Sequence, residues 1–146
     1  MRQTTANRHT RGFTLIEVLV ALVVLSIGLL GIASLQLSSL RWNHGASLRS
    51  QATLLAYDIV DRMRANQISA NAGEYDVALA ATKTAGTVAG DDIIRWKTLL
   101  SQTLPSGDGA VSRTVTGTST TYRIVVSWDD SKGAEAALTF VLETQI

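Results

Sequence analysis

Apolar positions are unevenly spread along this chain, and their period changes twice. From Phe13 to Leu35 the only ionisable side chain is Glu17, and the only other polar ones are Thr14, Ser26 and Ser34. Wound as a helix at about 1.5 Å per residue, this run covers roughly 34 Å, enough to cross the hydrocarbon core of a bilayer. Gly28 and Gly31 would weaken a helix in water, but membrane helices carry glycine more readily. Beyond it, Leu48, Ala52, Leu55, Ile59 and Met63 recur every three or four residues, as on one face of an amphipathic helix, while Arg49, Asp58, Asp61 and Arg62 lie off that stripe. The two patterns predict one long helix from Phe13 to about Asn66, with Asn43-His44-Gly45 the place where it can bend.

Asn66 to Gly90 is rich in Ala, Thr, Gly and Asn and reads as loop with room for a short strand or helix. A short helix is expected next: Asp91 or Asp92 suits its N-cap, Ile93, Trp96 and Leu100 share a face, and Pro105 with Gly107 marks its end. The last third alternates with period two. Tyr122, Ile124, Val126 and Trp128 form one strand pattern, Asp129 to Gly133 a turn, and Leu138, Phe140 and Leu142 a second strand. An earlier strand near Ala110–Thr116, closed by Gly117, completes three antiparallel strands. The stripe from Leu48 to Met63 is the expected cover for their apolar face. The expected class is therefore α+β, a long N-terminal helix packed on a C-terminal antiparallel sheet.

Composition and charge narrow the function. The chain has 146 residues, 46% of them hydrophobic, a formal charge of +1 and no cysteine. Near-neutral charge gives no global footprint for nucleic acid, and the absence of cysteine removes disulfides, thiolate nucleophiles and Cys-based zinc sites. His9 and His44 stand apart, no G-x-S-x-G elbow is present, and the pairs Asp91-Asp92 and Asp129-Asp130 lack the spacing of a calcium loop, so capping and turn roles are expected of them. No catalytic constellation, metal site or cofactor site is expected, and the chain does not read as an enzyme.

Arg2, Arg8 and Arg11 precede the apolar run with no acid among them, a bias that keeps the N-terminus cytoplasmic and exports the rest. A cleaved secretory signal shares that charge pattern, but this run is longer than an ordinary signal core and lacks a clear A-x-A-like site after it. An uncleaved single-pass anchor fits the length and the charge equally well, and leaves Glu17 unexplained. A carboxylate at the centre of a membrane helix costs about 2.5–3.5 kcal/mol, less near the interface. Glu17 is either an interfacial acid or the partner of a positive group on another chain. Trp42 beside Arg41 suits the opposite interface.

The residues Arg11-Gly12-Phe13-Thr14-Leu15-Ile16-Glu17-Val18 resemble the class III leader junction of type IV pilins and pseudopilins. That resemblance implies cleavage by a prepilin peptidase between Gly12 and Phe13, methylation of the Phe13 amine, and a docking role for Glu17 against the N-terminal amine of a neighbouring subunit. It implies a pilin fold in three parts: a basic leader over 1–12, a membrane and filament-core helix over 13–35, and a periplasmic head over 36–146. Leu48 to Asn66, Trp96-Lys97 with Leu104-Pro105, Gly107-Asp108-Gly109, and Val126-Ser127-Trp128-Asp129 further resemble PilV-type minor pilins, the type IV pilus modification proteins. The implied partners are prepilin peptidase, other minor pilins, the major pilin, a tip adhesin and the inner membrane, with no nucleic acid. The implied location is the inner membrane, as a single pass, and then a pilus on the cell surface. Major pilins often carry a proline in the membrane helix and a C-terminal disulfide; this chain has neither, which suits a low-copy subunit. The competing reading is a minor pseudopilin of a type II secretion system. A DNA-uptake subunit would need a basic head surface, for which Arg95, Lys97, Arg113, Arg123 and Lys132 are too scattered.

Overall fold

The computed structural model describes residues 12–146; the leader arginines and His9 lie outside the described residues. The elements run α1 (Leu15–Ala65), α2 (Gln67–Ala72), α3 (Val88–Thr103), β1 (Asp108–Thr116), β2 (Ser119–Trp128) and β3 (Leu138–Thr144). Two compact units divide the chain, the first ending at Trp42 and the second running from Asn43 to Ile146. The long helix and the three-stranded antiparallel sheet make an α+β, pilin-like arrangement. Asn43, His44 and Gly45 are all helical within α1.

In the first unit, α1 is apolar on every side and its large side chains are exposed all round, from Phe13 through Leu40. Among the described residues it is the one helix long and apolar enough to cross a membrane. Helices that are hydrophobic all round are stable only where protein or lipid covers them.

The second unit holds the core. The order of its sheet is β1-β2-β3, with the central strand paired on both sides. Register places Gly109, Val126 and Phe140 in one row across the sheet and Val111, Ile124 and Leu142 in the next, so the inner face is set by alternation along each strand. From α1 the cover is Leu48, Ala52, Ile59 and Met63 of the predicted stripe together with Ala56 and Val60, which that stripe did not include, while Leu55 is only partly buried.

That stripe does not cover the sheet alone. Ile93, Trp96 and Leu100 of α3 are fully buried, and Trp96 donates from Nε1 to the Leu55 carbonyl at 2.8 Å, which fixes α3 against α1. On its other side α3 lies so close to β1 that a Cβ on Gly109 would overlap the Trp96 ring and Leu100. Gly107-Asp108-Gly109 is therefore not simply a turn: Asp108 opens β1, and Gly109 is the gap in the sheet that receives the indole. Leu138, Phe140 and Leu142 are only half-buried, because β3 is an edge strand that the two helices cover incompletely. The Trp128 indole N–H is buried with no acceptor among the described residues.

The cap of α3 also differs from expectation. Thr87 takes the N-cap, its Oγ1 accepting from the Gly90 N–H at 3.0 Å, and α3 begins one turn earlier than the aspartates suggested. Asp91 instead reaches back to accept from the Gly86 N–H at 3.1 Å, a reciprocal arrangement close to a capping box. Asp92 belongs to a network. It accepts from Arg62 Nη1 at 3.1 Å and from the Tyr75 hydroxyl at 2.7 Å, while Arg62 also grips Asp58 with Nε at 2.9 Å and Nη2 at 3.3 Å. Burial, aided by the bond to Asp92, pushes the Tyr75 phenol up to about 12, and the hydrogen bond to Asp58 raises Arg62 further. Through Asp92, the Asp58–Arg62 pair, worth a few tenths of a kcal/mol on an isolated helix, thus ties α1 to α3 and to the segment between them.

That segment is the stretch left as loop by its composition. It contains α2, closed by Gly73 in the left-handed conformation at φ 84°, and an isolated bridge between Val77 and Val111. Lys97 fastens its far end, donating to the carbonyls of Ala78 and Ala81 at 3.0 and 2.7 Å and pairing with Asp108 at 2.9 Å. Burial disfavours the Asp108 carboxylate, but the Ala80 N–H, the Lys97 ammonium and the Gly109 N–H outweigh it and hold its pKa below the usual range.

Candidate functional site

Gly12, Phe13 and Thr14 lead into α1 without themselves being helical. Thr14 caps the helix. Its carbonyl accepts from the Glu17 N–H at 3.1 Å and the Val18 N–H at 3.3 Å, and its Oγ1 lies 3.4 Å from the Glu17 nitrogen. A threonine at the cap and a glutamate three residues on, before an apolar run, is the sequence signature of a capping box. The signature lies in Thr14-Leu15-Ile16-Glu17 and shows as a cap once the helix starts at Leu15 and not at Phe13. A carboxylate in the first turn also interacts favourably with the helix dipole. Glu17 therefore has a local reason to be acidic.

The junction itself is open. Phe13 is 84% exposed, and a Cβ built on Gly12 would meet nothing within 4 Å. No contact among the described residues requires a glycine there. Phe13 and, along α1, Glu17, Val18, Ala21, Leu22 and Leu25 line a shallow groove whose surface is almost wholly apolar.

Residues 7–33 match the prokaryotic N-terminal methylation motif. The match supports a precursor of the type IV pilin or pseudopilin class, a structural subunit rather than an enzyme. It implies processing by a prepilin peptidase and assembly of the pilus type. Together with the apolar half of α1, it fits anchoring in a membrane before assembly. Comparison with curated proteins finds no match, and comparison with solved structures finds none either.

Elsewhere the chemistry-bearing residues are occupied structurally. Asp91 and Asp92 have separate partners, as described. Asp129 closes the connection between β2 and β3, accepting from the Ser131 N–H and hydroxyl at 2.8 and 2.6 Å and from the Gly133 N–H at 2.6 Å, which lowers its pKa. His44 is exposed on α1. Among the described residues no three His, Asp or Glu side chains converge as a metal site.

Proposed function

We propose that this chain is a minor pilin of a type IV pilus, cut by prepilin peptidase between Gly12 and Phe13, methylated on the Phe13 amine, and incorporated at or near the pilus tip to initiate or modify assembly. The match over residues 7–33 supports the pilin or pseudopilin class within which this reading falls. In this account the leader is 1–12, the filament-core helix begins at Phe13, and the head follows the apolar segment. Glu17, one helical turn from the new amine, neutralises the amine of a neighbouring subunit and so sets the axial register between helices. Helix packing drives polymerisation in this reading, since the large side chains of the apolar half of α1 are exposed among the described residues. Other minor pilins, the major pilin and a tip adhesin are the proposed partners, and the departures from major-pilin sequence favour a low-copy role.

The competing reading, a type II secretion system minor pseudopilin, shares the same N-terminal motif. Fractionation of the native host separates the two. Presence of the processed chain in sheared surface pili, alongside the major pilin, is the expected result. Its recovery only in membranes, in a complex with secretion pseudopilins, would replace the pilus reading.

A further inference from the structure

Resting on the membrane-anchored reading, we infer that Arg41 and Trp42 dock on anionic lipid headgroups at the exported face, and that this contact holds Glu17 and the Phe13 junction at the opposite headgroup layer before assembly. Four observations lead there. No ionisable side chain lies between Val18 and Leu40, so Glu17 and Arg41 are the two charges that bracket the apolar helix. Trp42 is 77% exposed, Leu37 and Leu40 are 51% and 66% exposed, and Arg41 has no ion pair among the described residues. Between Val18 and Tyr57 the chain carries no acid at all, so the helix next to Trp42 is complementary to phosphate and not to a cation. Tryptophan and arginine are also the side chains that settle at membrane interfaces, one amphipathic and one able to reach phosphate.

Length then decides the depth of Glu17. From Glu17 to Arg41 the helix rises about 36 Å, against a hydrocarbon core of about 30 Å. With Arg41 at the exported boundary, Glu17 lies ~6 Å outside the hydrocarbon when the helix is upright, and stays outside at the average tilt of about 20°. If Leu35 marked that boundary instead, Glu17 would lie only ~27 Å below it, within the hydrocarbon. The second register gains solvation for Gln36, Ser38 and Ser39. It forfeits burial of Leu37 and Leu40, and puts a carboxylate where ionisation is costly. A serine in this helix can satisfy itself, as Ser26 does by donating to the Leu22 carbonyl at 2.7 Å, so the first register is favoured. It presents the scissile peptide at the membrane surface.

The test uses the full chain in phosphatidylcholine vesicles with or without phosphatidylglycerol. Trp96 and Trp128 are buried in the head, so signal lost in Trp42→Phe reports Trp42. Lipids brominated near the headgroup should quench it several-fold more than lipids brominated near the chain ends, and phosphatidylglycerol should strengthen the difference unless Arg41→Gln is present. Because the chain has no cysteine, Glu17→Cys should react with a membrane-impermeant thiol reagent while Leu25→Cys does not. Trp42 quenched only by aqueous iodide, with Glu17→Cys unreactive, would establish the Leu35 register and overturn the inference. Trp42 shielded from lipid and water quenchers alike, in proportion to chain concentration, would mean that another copy covers it, and would also overturn it. Failure of the chain to float with vesicles would remove the anchored reading itself.

Discussion

Two roles have to be told apart at Glu17. Its backbone N–H meets the Thr14 hydroxyl at the start of α1 within one chain, whereas the proposed docking role uses its charge against a second chain. Substitution separates them. Glu17→Gln keeps a residue suited to the capping box but removes the charge, so it should insert, be cleaved and remain as helical as the parent while entering pili poorly. Glu17→Val should show the same loss of incorporation, with a weaker helix start in addition. Normal incorporation of either variant, measured by immunoblot of sheared pili, would show that the carboxylate is there for the cap. Asp108 offers a second residue-scale test, in the head. Its folded pKa lies below the usual carboxylate value of about 3.9. The stabilisation it supplies is therefore present above that value and lost as pH falls through the folded pKa. Asp108→Asn should lower the denaturant midpoint of the full chain in detergent at neutral pH, with the gap from the parent closing as the pH falls below the usual carboxylate range. An unchanged gap at both pH values would mean that the Lys97–Asp108 clamp does not depend on charge.

At the scale of elements, periodicity and turn chemistry found the two long helices and all three strands. It failed where an element depends on a contact remote in sequence. The cover of the sheet is the clearest case. The stripe from Leu48 to Met63 looked sufficient, yet nothing in Ile93, Trp96 and Leu100 alone says that α3 wedges between α1 and β1, because that placement rests on Gly109, a residue without a side chain to reveal it. The position of α2 and the bridge from Val77 to Val111 are hidden for a related reason: Asn71 of α2 is held by Arg113 and the Tyr122 hydroxyl, and the stretch after it by Lys97, Asp92 and Tyr75, polar groups whose partners no local pattern identifies. The N-cap error at Asp91-Asp92 came from choosing the stronger cap-forming residue when Thr87, a turn earlier, was the one placed to serve. Gly109→Ala should cost about 1–3 kcal/mol through overpacking against Trp96. Gly45→Ala, a helical site where a Cβ meets nothing within 4 Å, should be neutral or stabilise by up to about 1 kcal/mol. Equal effects of the two on unfolding would contradict the tight α3–β1 contact.

For the whole molecule, the N-terminal motif and the α+β class were legible in the sequence, whereas the packing of the core was not. A motif of consecutive residues is written locally, as over residues 7–33. A core assembled from distant residues carries no such local record. Among the described residues nothing lies against a Cβ on Gly12, and the large apolar side chains from Phe13 to Leu40 are exposed; the proposed function accounts for both by cleavage and then burial of the helix among others. Intact mass spectrometry of the protein from the membranes and the sheared surface filaments of its native host tests both together. A mass corresponding to a chain that begins at methylated Phe13, found in the filament fraction, is the predicted result. An uncut chain beginning at Met1 in both fractions would contradict the account and leave a single-pass anchor in its place.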